Sequence, residues 1–274
     1  MNPERSHHLS RVRRLVVKVG SSLVTGGKTR GIRTRFLSGL ASQIRGLKGQ
    51  GVECLVVTSG AIAAGLSELG LRSRPTEIPM LQALAAVGQS NLMHAYELTF
   101  HRHGLKVAQI LLTREDISNP QRYANARNTL GQLFKHEIVP VVNENDTVAV
   151  EEIKFGDNDN LASLVSQLVK ADLLVLLTDT DGFFEEDPRV NPRAKLLSDI
   201  TTLDSRLEKS AAHSRSPLGT GGMATKIQAA KKMMQSGVPM VIANGNKKNI
   251  LGKILSFEKV GTFFHPSGAA RGNS

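Results

Sequence analysis

Two lysines stand where their neighbours leave little reason for one. Lys18 interrupts the apolar run "LVVKVG" at 15–20. A buried ammonium needs an opposite charge or a ligand charge beside it, whereas at an exposed strand end it needs neither, and both readings are open. Lys226 lies in "LGTGGMATKIQAAKKM" at 218–233, just inside a helix that follows a run of glycines. Free backbone N–H groups at a helix start attract anions, and glycine-rich turns cradle polyphosphates. A lysine there opposes the helix dipole unless an anion offsets it. The plainer alternative is a surface lysine on a glycine-capped helix. A third lysine imitates a known phosphate loop. Gly27-Lys28-Thr29 ends like the P-loop GxxxxGK(S/T), whose first glycine would fall at position 22, where Ser22 stands. The spelling fails, and 27–29 read as an exposed turn.

The densest polar stretch is "NENDTVAVEEIKFGDNDN" at 143–160, with four asparagines, three aspartates and three glutamates. It lacks the central glycine and terminal glutamate of a calcium loop. Asx runs are common in exposed turns, but this one leads straight into the apolar helix "LASLVSQLV", which aims its side chains at a sheet crevice. "TSGAIAAG" at 58–65 puts small residues at a strand-to-helix turn. Gly60 there permits close approach of a ligand, and close helix packing through Ala61, Ala63, Ala64 and Gly65 explains the same letters equally well. Met223, Ile227, Ala230 and Met234 recur at helical spacing and read as core.

These residues need elements to position them. Strands are expected at 15–19, 54–59, 106–112, 138–143, 173–179 and 239–244, mostly as continuous apolar runs of the kind buried on both faces of a parallel sheet. Helices are expected at 33–48, 80–102, 121–135, 159–170 and 222–236, with a small hairpin near 147–156. Strand–helix alternation implies right-handed crossovers and an α/β, doubly wound sheet in one domain. Small, hydroxyl and carboxamide residues follow the strands: Gly20-Ser21-Ser22, Ser59-Gly60, Thr113-Arg114, "NENDT", Thr178-Asp179 and Asn244-Gly245. Ligands of such sheets bind beyond the carboxyl ends of the strands.

Composition narrows the class. The 274 residues carry a formal charge of +11, which favours anionic partners. Aromatics are only 4% with no Trp, so stacking platforms for nucleic acid are sparse and nucleic acid is not an expected partner. No apolar run approaches a membrane span, and the N-terminal "MNPERSHHLSRVRR" lacks the apolar centre of a secretory signal. One cysteine, Cys54 in an apolar run, excludes an internal disulfide framework and suits a cytoplasmic location.

"VVKVGSSLVTGG", "VTSGAIAAGLSELG", "LQALAAVGQS", "NENDTVA", "IKFGDNDNLASLV", "LLTDTDGFF" with "DPRVNP", and "LGTGGMATKIQAA" occur in this order. Together they resemble the glutamate 5-kinases of the amino acid kinase family, from about Leu15 to Pro266. The lysine–glycine strand end and "TGGM-x-TK" mark the wider family, while "NEND", "GDNDN" and "LGTGGM" in combination mark the glutamate enzymes.

The resemblance implies a three-layer α/β/α sandwich with a mainly parallel central sheet. It implies a basic tail at 1–14, a kinase domain at 15–266 with an acid half to about 170 and a nucleotide half from 171, and a tail at 267–274. The chain stops soon after "GTFFHPSG", so the form implied is one without the C-terminal domain resembling RNA-modification modules. ATP and Mg2+ are implied, with transfer of a phosphoryl group to the γ-carboxylate of L-glutamate. Lys18 matches the lysine that reaches the transferred group, and Gly20 and Ser21 the loop that meets the phosphates. Ser59 and Gly60 match the substrate loop. Asp146 and Asn158 match residues that hold glutamate, with Asn143 nearby, and Asp159 matches the aspartate that orients the two lysines. Thr178 and Asp179 match a nucleotide-contacting pair. Thr220, Gly221, Gly222, Met223, Ala224, Thr225 and Lys226 match the ATP loop, with Lys226 the second phosphoryl-stabilising lysine. Proline as feedback inhibitor, a glutamyl phosphate reductase as receiver of the product, and a homo-oligomer are implied with it. Relatives acting on N-acetylglutamate, aspartate or carbamate are the nearest rivals, and a basic regulatory protein with an inactive kinase fold is a rival of another class.

Overall fold

The computed structural model describes residues 3–26, 31–148, 158–188, 190–204, 207 and 222–267. Its centre is an eight-stranded sheet in the order β3-β4-β2-β1-β5-β7-β8-β6. The strands are β1 (Arg14–Val19), β2 (Glu53–Val57), β3 (Val107–Leu112), β4 (Val139–Glu144), β5 (Leu173–Thr178), β6 (Asp199–Ile200), β7 (Met240–Asn244) and β8 (Thr262–Phe264). Pairing is parallel from β3 through β7, β8 runs antiparallel to β7, and β6 is parallel to β8.

The helices are α1 (Pro3–Leu9), α2 (Ser21–Thr25), α3 (Thr34–Gly49), α4 (Ala61–Glu68), α5 (Ile78–His101), α6 (Arg114–Ser118), α7 (Pro120–Lys135), α8 (Asn158–Leu168), α9 (Met223–Gln235) and α10 (Ile250–Leu255). They cover both faces. Alternate residues of a strand point to opposite faces. Leu15, Val17 and Val19 of β1 therefore join a core with α3, α5 and α10. Val16 joins the opposite core, with Leu161 and Val165 of α8 and Ile227 and Ala230 of α9. Lys18 follows Val16 at a spacing of two and so enters the α8–α9 layer.

The six strands expected from apolar runs are all present within a residue or two. β6 and β8, of two and three residues, carry too little pattern to be read. The short helices α1, α2, α6 and α10 were likewise not expected. Residues 3–9, expected within a basic tail, form α1, with Arg5 only 2% exposed. Its guanidinium donates to the Glu258 and Val260 carbonyls at 3.2 and 2.9 Å. The turn at 27–29 lies outside the described residues, as does all of the expected hairpin beyond Val148. No helix among the described residues is long and apolar enough to cross a membrane.

The chain leaves β1 toward β2 on one side and leaves β5 toward β7 on the other, so the strand order reverses between β1 and β5. That divergence opens the crevice at the carboxyl ends where ligands of such sheets lie. Two glycines shape one wall. A Cβ on Gly65 of α4 would lie 2.0 Å from the Leu84 carbonyl oxygen, and one on Gly88 of α5 would lie 1.8 Å from that of Ala61. The two helices touch backbone to backbone, so the packing reading of "AIAAG" holds.

Candidate active site

The helix α8 begins at the crevice, and its first two residues face different clusters. Asp159, 1% exposed, receives both lysines. Lys18 Nζ lies 2.7 Å from Oδ1, and Lys226 Nζ lies 3.0 Å from Oδ2. Thr225 Oγ1 also donates to Oδ2, at 2.7 Å. Burial pushes the Asp159 carboxyl up, but the two ammonium groups and the hydroxyl outweigh it and hold the group well below the usual carboxylate range. Lys18 is 6% and Lys226 8% exposed. The exposed-lysine alternatives for both therefore give way to the buried-pair reading. Two ammonium groups and one carboxylate give the triad a positive sum, which suits an anion.

Lys226 reaches this point because α9 starts at Gly222, whose extended backbone provides no side-chain cap. The start of a thirteen-residue helix thus keeps backbone N–H groups beside a lysine, an arrangement that favours phosphate. Met223 packs at the edge of the core and Ala224 is half-buried. Thr220 and Gly221 lie outside the described residues.

Asn158 turns the other way. Its Nδ2 donates to the Thr58 carbonyl at 2.6 Å, to Asn143 Oδ1 at 2.8 Å and to Ser59 Oγ at 3.1 Å. Asn143 Nδ2 in turn donates to Gln89 Oε1 at 2.7 Å. Gly60 stands at the start of α4 with φ +106°, a left-handed conformation natural to glycine. A Cβ there would touch Thr25 Cγ2 at 3.0 Å and approach Ser21 at 3.9 Å, so the loops after β1 and β2 lie side by side. Gly20 N donates to the Leu177 carbonyl, and Gly245 N to that of Thr178, linking the ends of β1, β5 and β7.

Thr178 is buried and donates to the exposed Asp179 at 3.1 Å. Asp146 is half-buried in the turn after β4, and its charge raises the Arg74 guanidinium against a larger lowering by burial. One strand end has a purely local role: Thr113 and Asp116 form a reciprocal capping box at the start of α6. Cys54 is buried, and burial pushes its thiol up to about 12, which rules it out as a nucleophile at neutral pH.

Several residues were given no role from the sequence. Gln89 occupies the buried face of α5 among Leu81, Ala85 and Leu92, and a polar residue on an apolar stripe is a readable signal. Tyr96 bonds Thr58 Oγ1 at 2.9 Å under the β2 end. Asp181 accepts from Asn244 and pairs with Lys247 at 2.8 Å, and these contacts lower its carboxyl. Contacts 66 residues apart leave no local signal.

The sequence pattern of the amino acid kinase family matches residues 13–244. The chain belongs to the amino acid kinase family. Among its relatives is the glutamate 5-kinase of Citrifermentans bemidjiense, 51% identical over 264 residues, covering 96% of this chain and 70% of that one. The glutamate 5-kinase of Clostridium acetobutylicum is 48% identical over 263 residues, covering 96% of this chain and 98% of that one. The solved isopentenyl phosphate kinase of T. acidophilum superposes with a TM-score of 0.63 at 20% identity, covering 92% of this chain and all of that one. That likeness concerns the amino acid kinase fold alone, and it agrees with the mainly parallel, three-layer architecture described above.

Proposed function

We propose that this amino acid kinase transfers the γ-phosphoryl group of ATP to the side-chain carboxylate of L-glutamate, giving L-glutamyl 5-phosphate and ADP. The observation that carries the reading is the division at the start of α8. Asn158 is tied to Ser59 and Asn143, while its neighbour Asp159 holds Lys18 and Lys226. An amide cluster suited to an amino acid thereby adjoins a lysine pair suited to phosphate. The glutamate 5-kinases that share about half of its residues support the same substrate.

In the reaction a γ-carboxylate oxygen of glutamate forms a bond to the γ-phosphorus. The bond from that phosphorus to the β–γ bridging oxygen breaks, and ADP leaves with the electron pair. Free glutamate ionises near pH ~4.3, so the nucleophile needs no catalytic base. Phosphoryl transfer then depends on positioning and charge stabilisation. Lys18 and Lys226 would bind the transferred phosphoryl oxygens, with Asp159 holding the two ammonium groups at the required separation. Gly20, Ser21 and the α9 start at Gly222 would face the phosphates, and Thr178 and Asp179 the nucleoside. Ser59, Gly60, Asn143, Asp146 and Asn158 would hold glutamate.

Among the described residues no group of three His, Cys, Asp or Glu side chains could cage a divalent ion, and Asp159 is committed to the lysines. Magnesium commonly binds through substrate phosphates and retains several waters. It would therefore enter with ATP, whose phosphate charge it neutralises when bound. The product is a labile acyl phosphate, so we place a glutamyl phosphate reductase after it. We place the reaction in the cytoplasm, as a step of proline synthesis with proline as feedback inhibitor, and the enzyme in a homo-oligomer.

The test is ATP turnover over a panel of acids with hydroxylamine trapping of acyl phosphate. Hydroxamate is expected with glutamate. Trapped product with N-acetylglutamate but none with glutamate would overturn the substrate. Asp146→Asn is expected to raise the glutamate KM about tenfold, the scale of one lost hydrogen bond to a charged group, with the ATP KM little altered. Steady-state kinetics in both substrates check this, and an unaltered glutamate KM removes Asp146 from the site.

A further inference from the structure

We infer that Gln89 is a positioning residue for the amino acid substrate, acting through Asn143 to set which end of the Asn158 amide faces the crevice. This rests on the reading of Asn158 as a glutamate-binding residue. The chain of amides starts at the Thr58 carbonyl, which can only accept. Asn158 must therefore present Nδ2 to it, as the 2.6 Å contact shows. The same Nδ2 donates to Asn143 Oδ1, leaving Asn143 only its own Nδ2 for Gln89. Gln89 must then offer an oxygen, and Oε1 accepts at 2.7 Å. Turning any one amide over would set two donors or two acceptors face to face.

Stability accounts for only one end of this glutamine. Gln89 is 8% exposed, and its Nε2 is buried without a hydrogen-bond partner among the described residues. That unsatisfied donor is destabilising, whereas Oε1 satisfies the buried Asn143 Nδ2. The useful end is the oxygen. With Nδ2 of Asn158 fully engaged, its Oδ1 takes no hydrogen bond among the described residues. A carbonyl oxygen held in that orientation is an acceptor for the α-ammonium group of an amino acid. Gln89 touches neither substrate nor phosphate in this arrangement. It keeps Asn143 from rotating, and Asn143 keeps Asn158.

The experiment compares wild type, Gln89→Leu and Gln89→Glu, with kcat and KM measured for L-glutamate, for glutarate (which lacks the amino group) and for ATP, and with thermal melting as the check on folding. Wild-type turnover of glutamate is read first, and its absence overturns the proposed function and this inference with it. Given that turnover, Gln89→Leu is expected to raise the glutamate KM about tenfold. The ATP KM should stay within about twofold, and the preference for glutamate over glutarate should fall by a similar factor of ten. Gln89→Glu keeps an oxygen toward Asn143 and should return the glutamate KM to within about threefold of wild type. A glutamate KM or glutarate preference unmoved in Gln89→Leu overturns the relay alone. So does a Gln89→Glu variant as impaired as the leucine, including the case in which the leucine variant does not fold.

Discussion

Lys226→Ala is expected to lower kcat by about 10²–10³-fold, the cost of removing one preorganised donor to developing charge, while changing the glutamate KM by less than about threefold. Lys226 is 8% exposed and 3.0 Å from Asp159. Its ammonium is therefore already oriented and largely desolvated before the reaction, and it would act on charge that develops as the phosphoryl group moves. An interaction made chiefly in the transition state shows in kcat rather than KM. The fold should survive, because Asp159 keeps Lys18 and the Thr225 hydroxyl as partners. Single-turnover and steady-state kinetics check the split, and an unchanged kcat removes Lys226 from the chemistry.

Asp159 itself should show as acid sensitivity. Its carboxyl is held below the unfolded value of about 3.9, so the folded state binds fewer protons there than the unfolded chain. That contribution to stability is complete above the unfolded value and is lost as pH falls from it toward the folded one. Urea unfolding from pH 7 down to pH 3 should show this loss. In Asp159→Asn, which leaves two buried lysines without their shared carboxylate, stability at pH 7 should fall by about 3–5 kcal/mol, and this component of the acid dependence should disappear.

Gly88→Ala is expected to lower folding stability by about 3 kcal/mol or more. The added Cβ would lie 1.8 Å from the Ala61 carbonyl oxygen and 2.4 Å from the Gly65 nitrogen. Both are backbone atoms of α4, and no rotamer change relieves them. Overpacking a tight contact usually costs 1–3 kcal/mol through small shifts, and here a whole helix must move. Because α4 begins just after Ser59 and Gly60, the displacement reaches the strand end that carries Asn158's partners. Thermal or urea unfolding should show the loss, and any folded protein should show a raised glutamate KM. A variant as stable as wild type would mean that α4 and α5 do not touch at this point.

Much of this could be read without coordinates. Continuous apolar runs such as "LLVLL" and "MVIA" betray strands buried on both faces, because no other element of that length needs so many branched side chains in succession. The residues after them point to the crevice, since the carboxyl ends of parallel strands all open on one side. Lys18 was conspicuous for a related reason: a charge in an apolar strand needs a partner. Burial and periodicity could not name that partner, and only the family resemblance pointed to Asp159. Asp159 lies 141 positions away and Lys226 a further 67, and only the parallel register of β1 with β2 and β5, together with α8 and α9 packing on one face, brings them within 3 Å. Gln89 illustrates the same limit. Its place on the buried stripe of α5 is a matter of periodicity, but the direction of its amide is imposed by the Thr58 carbonyl through two asparagines from other elements. Residue types and spacing thus determined the sheet, the crevice and the kinds of chemistry on offer, because these follow from local pattern and burial. The pairing of charges and the polarity of the amide relay were decided by tertiary structure alone, because hydrogen bonds and ion pairs act over ångströms and sequence distance carries no record of them.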